Sequence, residues 1–120
     1  MNLNQAQILS QTIVDHLAPH CARIEVAGSI RRRCPFPRDV DIVLIPDNQG
    51  KLLLALRDLG PLKAGAGRLI RLTYINNIAV DIYIATPETW ATLLLIRTGS
   101  KEHNQRLCTL AKCKGWTLHA

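Results

Sequence analysis

The chain has 120 residues, of which 48% are hydrophobic and 20% charged, close to the average for folded globular proteins. These proportions exclude disorder as the main state, and the length allows one hydrophobic core but not two domains. Fifteen Lys and Arg against nine Asp and Glu give a net charge of +6, which favours an anionic partner such as nucleic acid, a nucleotide or a membrane surface.

Cellular location and cysteine chemistry are also constrained by the sequence. The longest apolar stretches, residues 52–56 and 93–96, are much shorter than the roughly 20 residues that span a bilayer, so no membrane partner is predicted. The start, Met-Asn-Leu-Asn-Gln, lacks the features of a secretory signal, and a cytoplasmic location is expected. The four cysteines include no Cys-x-x-Cys pair, which favours reduced thiols over a zinc site.

The first elements alternate between helix and strand. Apolar side chains recur at helical spacing in residues 4–18 and Pro19 ends the pattern, which predicts a helix. Residues 23–27 alternate polar and apolar side chains, which predicts a strand that ends at Gly28-Ser29, where a turn or short helix can begin. A basic stretch, residues 31–38, follows with two prolines and no carboxylate.

The middle of the chain predicts one buried strand and a hairpin. Residues 39–45 are β-branched and apolar apart from two aspartates, which is typical of a buried central strand. Residues 51–59 predict a helix. Residues 68–75 and 78–85 predict two strands joined by a two-residue turn at Asn76-Asn77, because Asn tolerates positive φ.

Two helices complete the predicted fold. Thr86-Pro87 predicts a helix start, with Thr86 as N-cap, and Ser100 predicts the N-cap of a last helix. The fold class predicted for the whole chain is α+β, a small mixed β-sheet with helices packed on it.

Three aspartates lie in otherwise apolar strands. Asp39 and Asp41 project to the same face of one strand, with Cα atoms about 6.7 Å apart. If the strand that contains Asp81 lies beside it, three carboxylates converge, and they repel each other unless a cation compensates them. Oxygen ligands favour Mg²⁺ or Mn²⁺, and two such ions can promote an in-line phosphoryl displacement.

A candidate anion site precedes these aspartates by ten residues. Gly28-Ser29 stands at the end of a predicted strand, where backbone N–H groups and a hydroxyl can bind phosphate. Arg31, Arg32 and Arg33 follow at once. The adjacent anion and metal sites predict phosphate chemistry.

Four segments resemble one family. The run GSIRRRCPFPRDVD, residues 28–41, resembles the signature G-S-x-R-R-x6-D-x-D of the family X DNA polymerases. Asp81 matches the third aspartate of the family, and the run TGSKEHN, residues 98–104, resembles its T-G-S-x-x-x-N segment. The resemblance implies a single nucleotidyltransferase palm domain, polymerase beta-like, over residues 1–120, with residues 98–120 resembling the start of the nucleotide-binding (thumb) subdomain.

The resemblance also implies an activity and its residues. The activity is transfer of a nucleotide from a dNTP or NTP to the 3′-hydroxyl of a DNA primer-template or gapped DNA, with release of pyrophosphate. Asp39 and Asp41 would bridge two Mg²⁺ or Mn²⁺ ions, and Asp81 would bind the catalytic metal and help deprotonate the hydroxyl. The implied nucleotide-binding residues are Gly28, Ser29, Arg32, Arg38, Thr98, Gly99, Ser100 and Asn104, and the implied nucleic-acid contacts are Arg31, Arg33, Lys101 and Arg106.

The sequence departs from the family at three places. Arg38 replaces the Gly that usually precedes the first metal aspartate, so it either adds a phosphate or strand contact or crowds the triphosphate. Ile96-Arg97 replaces an aromatic pair that contacts the sugar, which leaves the choice of sugar open. Ala79 stands where some members carry an Arg that orients the third aspartate.

Two alternatives stay open. One is a minimal nucleotidyltransferase that modifies a protein or a small molecule, although such proteins usually lack the Thr-Gly-Ser segment. The other is a nucleic-acid-binding module with a degenerate site. If the acids bind metal, only basic segments are left to hold DNA, and we expect weak, salt-sensitive binding, low processivity and a possible protein partner that supplies further grip.

Overall fold

The computed structural model describes residues 1–64 and 68–99. The predicted last helix, with Ser100, Lys101, Asn104 and Arg106, lies outside the described residues. The helices are α1 (Leu3–Leu17), α2 (Gly28–Arg31), α3 (Gln49–Leu59) and α4 (Trp90–Thr98). The strands are β1 (Cys21–Ala27), β2 (Val40–Pro46), β3 (Leu62–Ala64), β4 (Leu69–Tyr74) and β5 (Ile78–Ile84).

The strands form one mixed sheet in the order β1-β2-β5-β4-β3. β2 and β5 run parallel, and the other neighbouring strands are antiparallel. The α+β class and the mixed sheet are therefore confirmed. β2 is buried between β1 and β5, as its apolar sequence predicted.

Helices cover both faces of the sheet. One core contains α1 and α3 against alternate residues of β2, namely Val40, Ile42 and Leu44. The other contains α4, through Trp90 and Leu93, against Val43, Ile45, Ala27 and Ala85. Because strand residues alternate between faces, Asp41 lies on the same face as Val43 and therefore on the α4 side.

Two predicted boundaries are wrong. The β4–β5 loop contains three residues, Ile75–Asn77, because Tyr74 pairs with Ile78 and the exposed Ile75 is left outside the ladder. Both asparagines do have positive φ, 62° and 58°. The helix predicted at Thr86 begins at Trp90 instead: Thr86 Oγ1 does accept a hydrogen bond from Thr89 N at 3.3 Å, as an N-cap does, but residues 87–89 form a separate turn before the helix. In addition, β3 was not predicted.

Two further predictions can be compared with the described residues. None of the helices there is long and apolar enough to cross a membrane. Cys21 and Cys34 are free thiols.

Candidate functional site

One row of paired residues crosses the sheet and contains both acids and bases. Asp41 of β2 pairs with Asp81 of β5, and Asp81 pairs with Arg71 of β4. Lys63 of β3 follows Arg71 at the edge. Paired residues on neighbouring strands project to the same face, so two carboxylates lie side by side next to two cations. Asp39, an exposed residue, stands just before β2.

The carboxyl group of Asp41 is in an unfavourable place for a negative charge. Burial, together with the charges of Asp81 and Asp39, raises its pKa to about 6, although Arg97 and Arg32 act in the opposite direction. An additional cation bound between the carboxylates would remove this repulsion. The environment of Asp41 therefore favours binding of a cation to its carboxylate.

Gly28 packs its backbone against Asp41. It has a φ of 63°, and a Cβ added there would lie 2.9 Å from Asp41 Cγ and closer still to Oδ2. The side chain of a larger residue would thus displace the carboxylate, and the left-handed φ would strain it as well. The sequence predicted that the Gly-Ser turn binds phosphate next to a metal site on the Asp-x-Asp strand. The turn and the strand are in contact through this glycine.

Asp81 is paired with an arginine that the sequence did not indicate. Arg71 Nε donates to Asp81 Oδ1 at 3.0 Å, and the Asp81 side chain is only 11% exposed. Ala79 leaves the third aspartate without an arginine on its own strand, and Arg71 supplies one from the adjacent strand.

Arginines also connect the predicted phosphate loop to the end of α4. Arg32 Nη1 donates to the Thr98 carbonyl oxygen at 2.9 Å. The Arg97 guanidinium lies 4.5 Å from the centroid of the Tyr83 ring, and its Nε is buried without a hydrogen-bond partner. Burial, with the charges of Asp41 and Asp81, raises the Tyr83 pKa. Arg97 thus stacks on an aromatic residue of β5.

The other arginines of the loop differ in how they are held. Arg31 donates to Glu25 Oε2 at 3.5 Å and to the Val26 carbonyl oxygen at 3.4 Å, which directs it toward β1. The side chains of Arg33 and Arg38 are exposed and have no hydrogen-bond or ion-pair partner within the described ranges. These two guanidinium groups are available to an external anion.

The carboxylates do not yet form a complete ligand set. Within residues 1–64 and 68–99, no group of three or more His, Cys, Asp and Glu side chains is arranged to hold a metal ion. Asp41 and Asp81 are paired as predicted, Arg71 holds one oxygen of Asp81, and Asp39 lies outside the strand, although its charge acts on Asp41. The donor chemistry, carboxylate oxygens alone, does fit a hard divalent cation.

The chain is similar to known polymerases. It is 28% identical to the DNA polymerase/3′-5′ exonuclease PolX of Bacillus subtilis (strain 168) over 114 residues, which cover 89% of this chain and 20% of that protein. No family model matches.

Solved structures show the same fold. The crystal structure of Leishmania infantum polymerase beta in its ternary P/T complex matches with a TM-score of 0.82 and 22% identity, over 99% of this chain and 55% of that one. The ternary gap complex matches with a TM-score of 0.81 and 22% identity, over 99% of this chain and 49% of that one. The chain spans about a fifth of the curated relative and about half of these structures.

Proposed function

We propose that the chain is a metal-dependent nucleotidyltransferase, because it has the polymerase beta-like fold and resembles the family X DNA polymerases over most of its length. It adds a nucleotide from a dNTP or NTP to the 3′-hydroxyl of a DNA primer-template or gapped DNA, and pyrophosphate leaves. The observation that carries the proposal is the pairing of Asp41 with Asp81 on adjacent strands, because neighbouring carboxylates in a largely buried site are stabilised by bound cations.

Three carboxylates hold the metal in this proposal. Asp39, Asp41 and Asp81 are the ligands of two Mg²⁺ or Mn²⁺ ions, and Asp81 also helps to deprotonate the attacking hydroxyl. When bound, such ions activate the hydroxyl and stabilise the leaving oxygen. For Asp39 and Asp81 to join Asp41 in one site, their side chains must turn toward it, and Asp81 keeps Arg71 on one oxygen only.

The triphosphate binds at the start of α2. The backbone N–H groups of Gly28 and Ser29 and the Ser29 hydroxyl bind phosphate oxygens next to Asp41. Arg32 exchanges the Thr98 carbonyl oxygen for a phosphate oxygen, which is a stronger acceptor because it is charged. The hydrogen bond between Arg32 and the end of α4 is thereby coupled to nucleotide binding.

The proposal also assigns roles to further residues. Arg38 contacts the triphosphate, and Thr98 and Gly99 lie at the end of α4, which Arg32 links to the phosphate loop. The proposed nucleotide contacts are completed by Ser100 and Asn104, and the proposed DNA contacts are Arg31, Arg33, Lys101 and Arg106. A protein partner that adds grip on DNA, and a cytoplasmic location, remain predictions.

A primer-extension assay tests the proposal. The chain is incubated with Mg²⁺ or Mn²⁺, labelled dNTPs or NTPs and a gapped primer-template. We expect metal-dependent extension that is lost in Asp81→Ala and retained in Asp58→Asn, a variant of an exposed carboxylate on α3. No extension by the wild type, or equal extension by Asp81→Ala, would overturn the proposal.

A nucleic-acid-binding module without catalysis is the second candidate. It is favoured by the incomplete ligand set among the described residues and by the Arg71 guanidinium, which already neutralises Asp81. In that case, DNA binds with a steep salt dependence, while Mg²⁺ and dNTP do not enhance each other's effect on the melting temperature. Mutual enhancement would exclude this candidate.

A further inference from the structure

Phe36 is the most exposed of the large hydrophobic side chains in the described residues, with 76% of its surface accessible. It lies between Pro35 and Pro37 in the loop from α2 to β2. Single exposed hydrophobic residues are common, so exposure alone assigns no role. The surroundings of Phe36 are what distinguish it.

The loop that carries Phe36 is anchored on both sides. Pro37 is fully buried, and the Pro35 carbonyl oxygen accepts a hydrogen bond from Leu3 N at 3.0 Å. Both prolines also restrict the backbone. The exposed phenyl ring is therefore presented by a constrained segment, which reduces the entropy lost when a ligand stacks on it.

Arginines precede and follow Phe36 in the sequence of the loop. Residues 31–38 contain four arginines and no carboxylate, and the first acidic residue after them is Asp39. Arg33 and Arg38 lie on either side of Phe36 in the sequence. Both are exposed, and their side chains lack a hydrogen-bond or ion-pair partner among the described residues. The ligand that fits an aromatic face between free guanidinium groups is an anion with flat aromatic rings, such as a nucleic-acid strand.

The backbone at Arg33 gives independent support. Arg33 N donates to the Ile30 carbonyl oxygen at 3.0 Å, and Cys34 N donates to that of Ser29 at 2.9 Å, which is a Schellman ending for α2. Arg33 has a φ of 61°, in the position where glycine is favoured. Because the backbone conformation at this position favours glycine, the fold gains nothing from an arginine there. A role of the guanidinium group in binding would account for the arginine.

We propose that Phe36 stacks on an unpaired base of a DNA strand while Arg33, together with Arg38 when no triphosphate is bound there, contacts the phosphates on either side. Phe36 and Asp39 are three positions apart in the chain, a reach of at most about 11 Å, so the base adjoins the proposed metal site. The inference rests on the proposed function in that the same DNA is the substrate. The inference adds a contact with a base to a DNA-binding surface that otherwise contacts only phosphates.

Binding of a fluorescently labelled oligo-dT, measured by anisotropy over a series of salt concentrations, tests this inference without catalysis. Phe36→Ala is expected to weaken binding about tenfold and to leave the salt slope unchanged, because stacking releases no counterions. Arg33→Gln and Arg38→Gln are each expected to lower the slope by about 0.7. Phe36→Trp is expected to bind oligo-dT with about the affinity of the wild type, because tryptophan also stacks on bases.

Ile75→Ala is the matched control, because Ile75 is a hydrophobic side chain that is 65% exposed on the β4–β5 loop. It should leave binding unchanged, and thermal melting should show all variants folded. Wild-type affinity in Phe36→Ala, a reduced salt slope in that variant, or no binding of oligo-dT by the wild type would each overturn the inference. DNA binding that depends on Phe36, without nucleotide incorporation, would instead overturn only the proposed catalysis.

Discussion

Gly28 is the residue whose replacement tests the site most directly. An added methyl group would meet the Asp41 carboxylate, and alanine is disfavoured at a φ of 63°. We expect Gly28→Ala to lower the free energy of unfolding by about 1–3 kcal/mol and to abolish extension. Both effects are measured on one preparation, by thermal melting and by primer extension.

Gly50→Ala is the control for that substitution. Gly50 lies in α3, and its added Cβ would approach nothing closer than Asn48 Oδ1 at 3.6 Å. Alanine is favoured over glycine in helices, so we expect a gain of up to about 1 kcal/mol with unchanged extension. If Gly28→Ala behaved like Gly50→Ala, the contact between the loop and Asp41 would have no part in the activity.

Arg71 compensates the charge of Asp81, and a second prediction follows from this pair. Arg71→Gln leaves the buried carboxylate without its cation and should reduce the free energy of unfolding by about 1–2 kcal/mol. Mg²⁺ should then raise the melting temperature of this variant more than that of the wild type, because the ion takes over the compensation. Arg57→Gln, a change to an exposed arginine of α3, should show neither effect. An equal response to Mg²⁺ in the wild type and Arg71→Gln would contradict this role.

At the level of elements, the β4–β5 hairpin decides which side chains reach the site. The predicted two-residue turn pairs Arg71 with Ile82 and turns Arg71 to the face opposite Asp81. The actual three-residue loop pairs Arg71 with Asp81. Loop length is poorly determined by local sequence here, since Asn76 and Asn77 fit turns of either length.

Stabilising this loop tests whether the hairpin has the register described. Asn77 has a φ of 58°, which glycine adopts more readily. We expect Asn77→Gly to raise the free energy of unfolding by up to about 1 kcal/mol and to leave the Arg71–Asp81 pair intact. Chemical denaturation measures the first effect, and the response to Mg²⁺ measures the second. A loss of stability would indicate a different turn conformation.

Other elements were predictable to the extent that their signals are local. The apolar pattern of β2 and the aspartates within it are visible in the sequence, and so is the Gly-Ser turn before α2. The start of α4 was not, because the predicted capping bond from Thr89 N to Thr86 Oγ1 closes a separate turn before the helix begins at Trp90. The contact of Gly28 with Asp41 depends on the pairing of β1 with β2, which no local pattern specifies.

For the whole molecule, the raised pKa of Asp41 makes stability depend on pH. The folded state binds the proton of the Asp41 carboxyl group more tightly than the unfolded chain does, in which the pKa of this group is 3.8. The contribution of Asp41 to stability is therefore most favourable below about pH 4, declines as the pH rises to about 6, and is constant above that. The ionised Asp41 therefore lowers the stability of the fold most above about pH 6.

Asp41→Asn removes this penalty, since the amide is neutral at every pH. We expect the variant to melt at a higher temperature than the wild type at pH 7.5 and at about the same temperature at pH 4, both in EDTA. Millimolar Mg²⁺ should stabilise the wild type at pH 7.5, where Asp41 is ionised, but not at pH 4, and should do little for the variant. A variant that is less stable than the wild type by the same amount at both pH values would show that Asp41 supports the fold instead of a cation site.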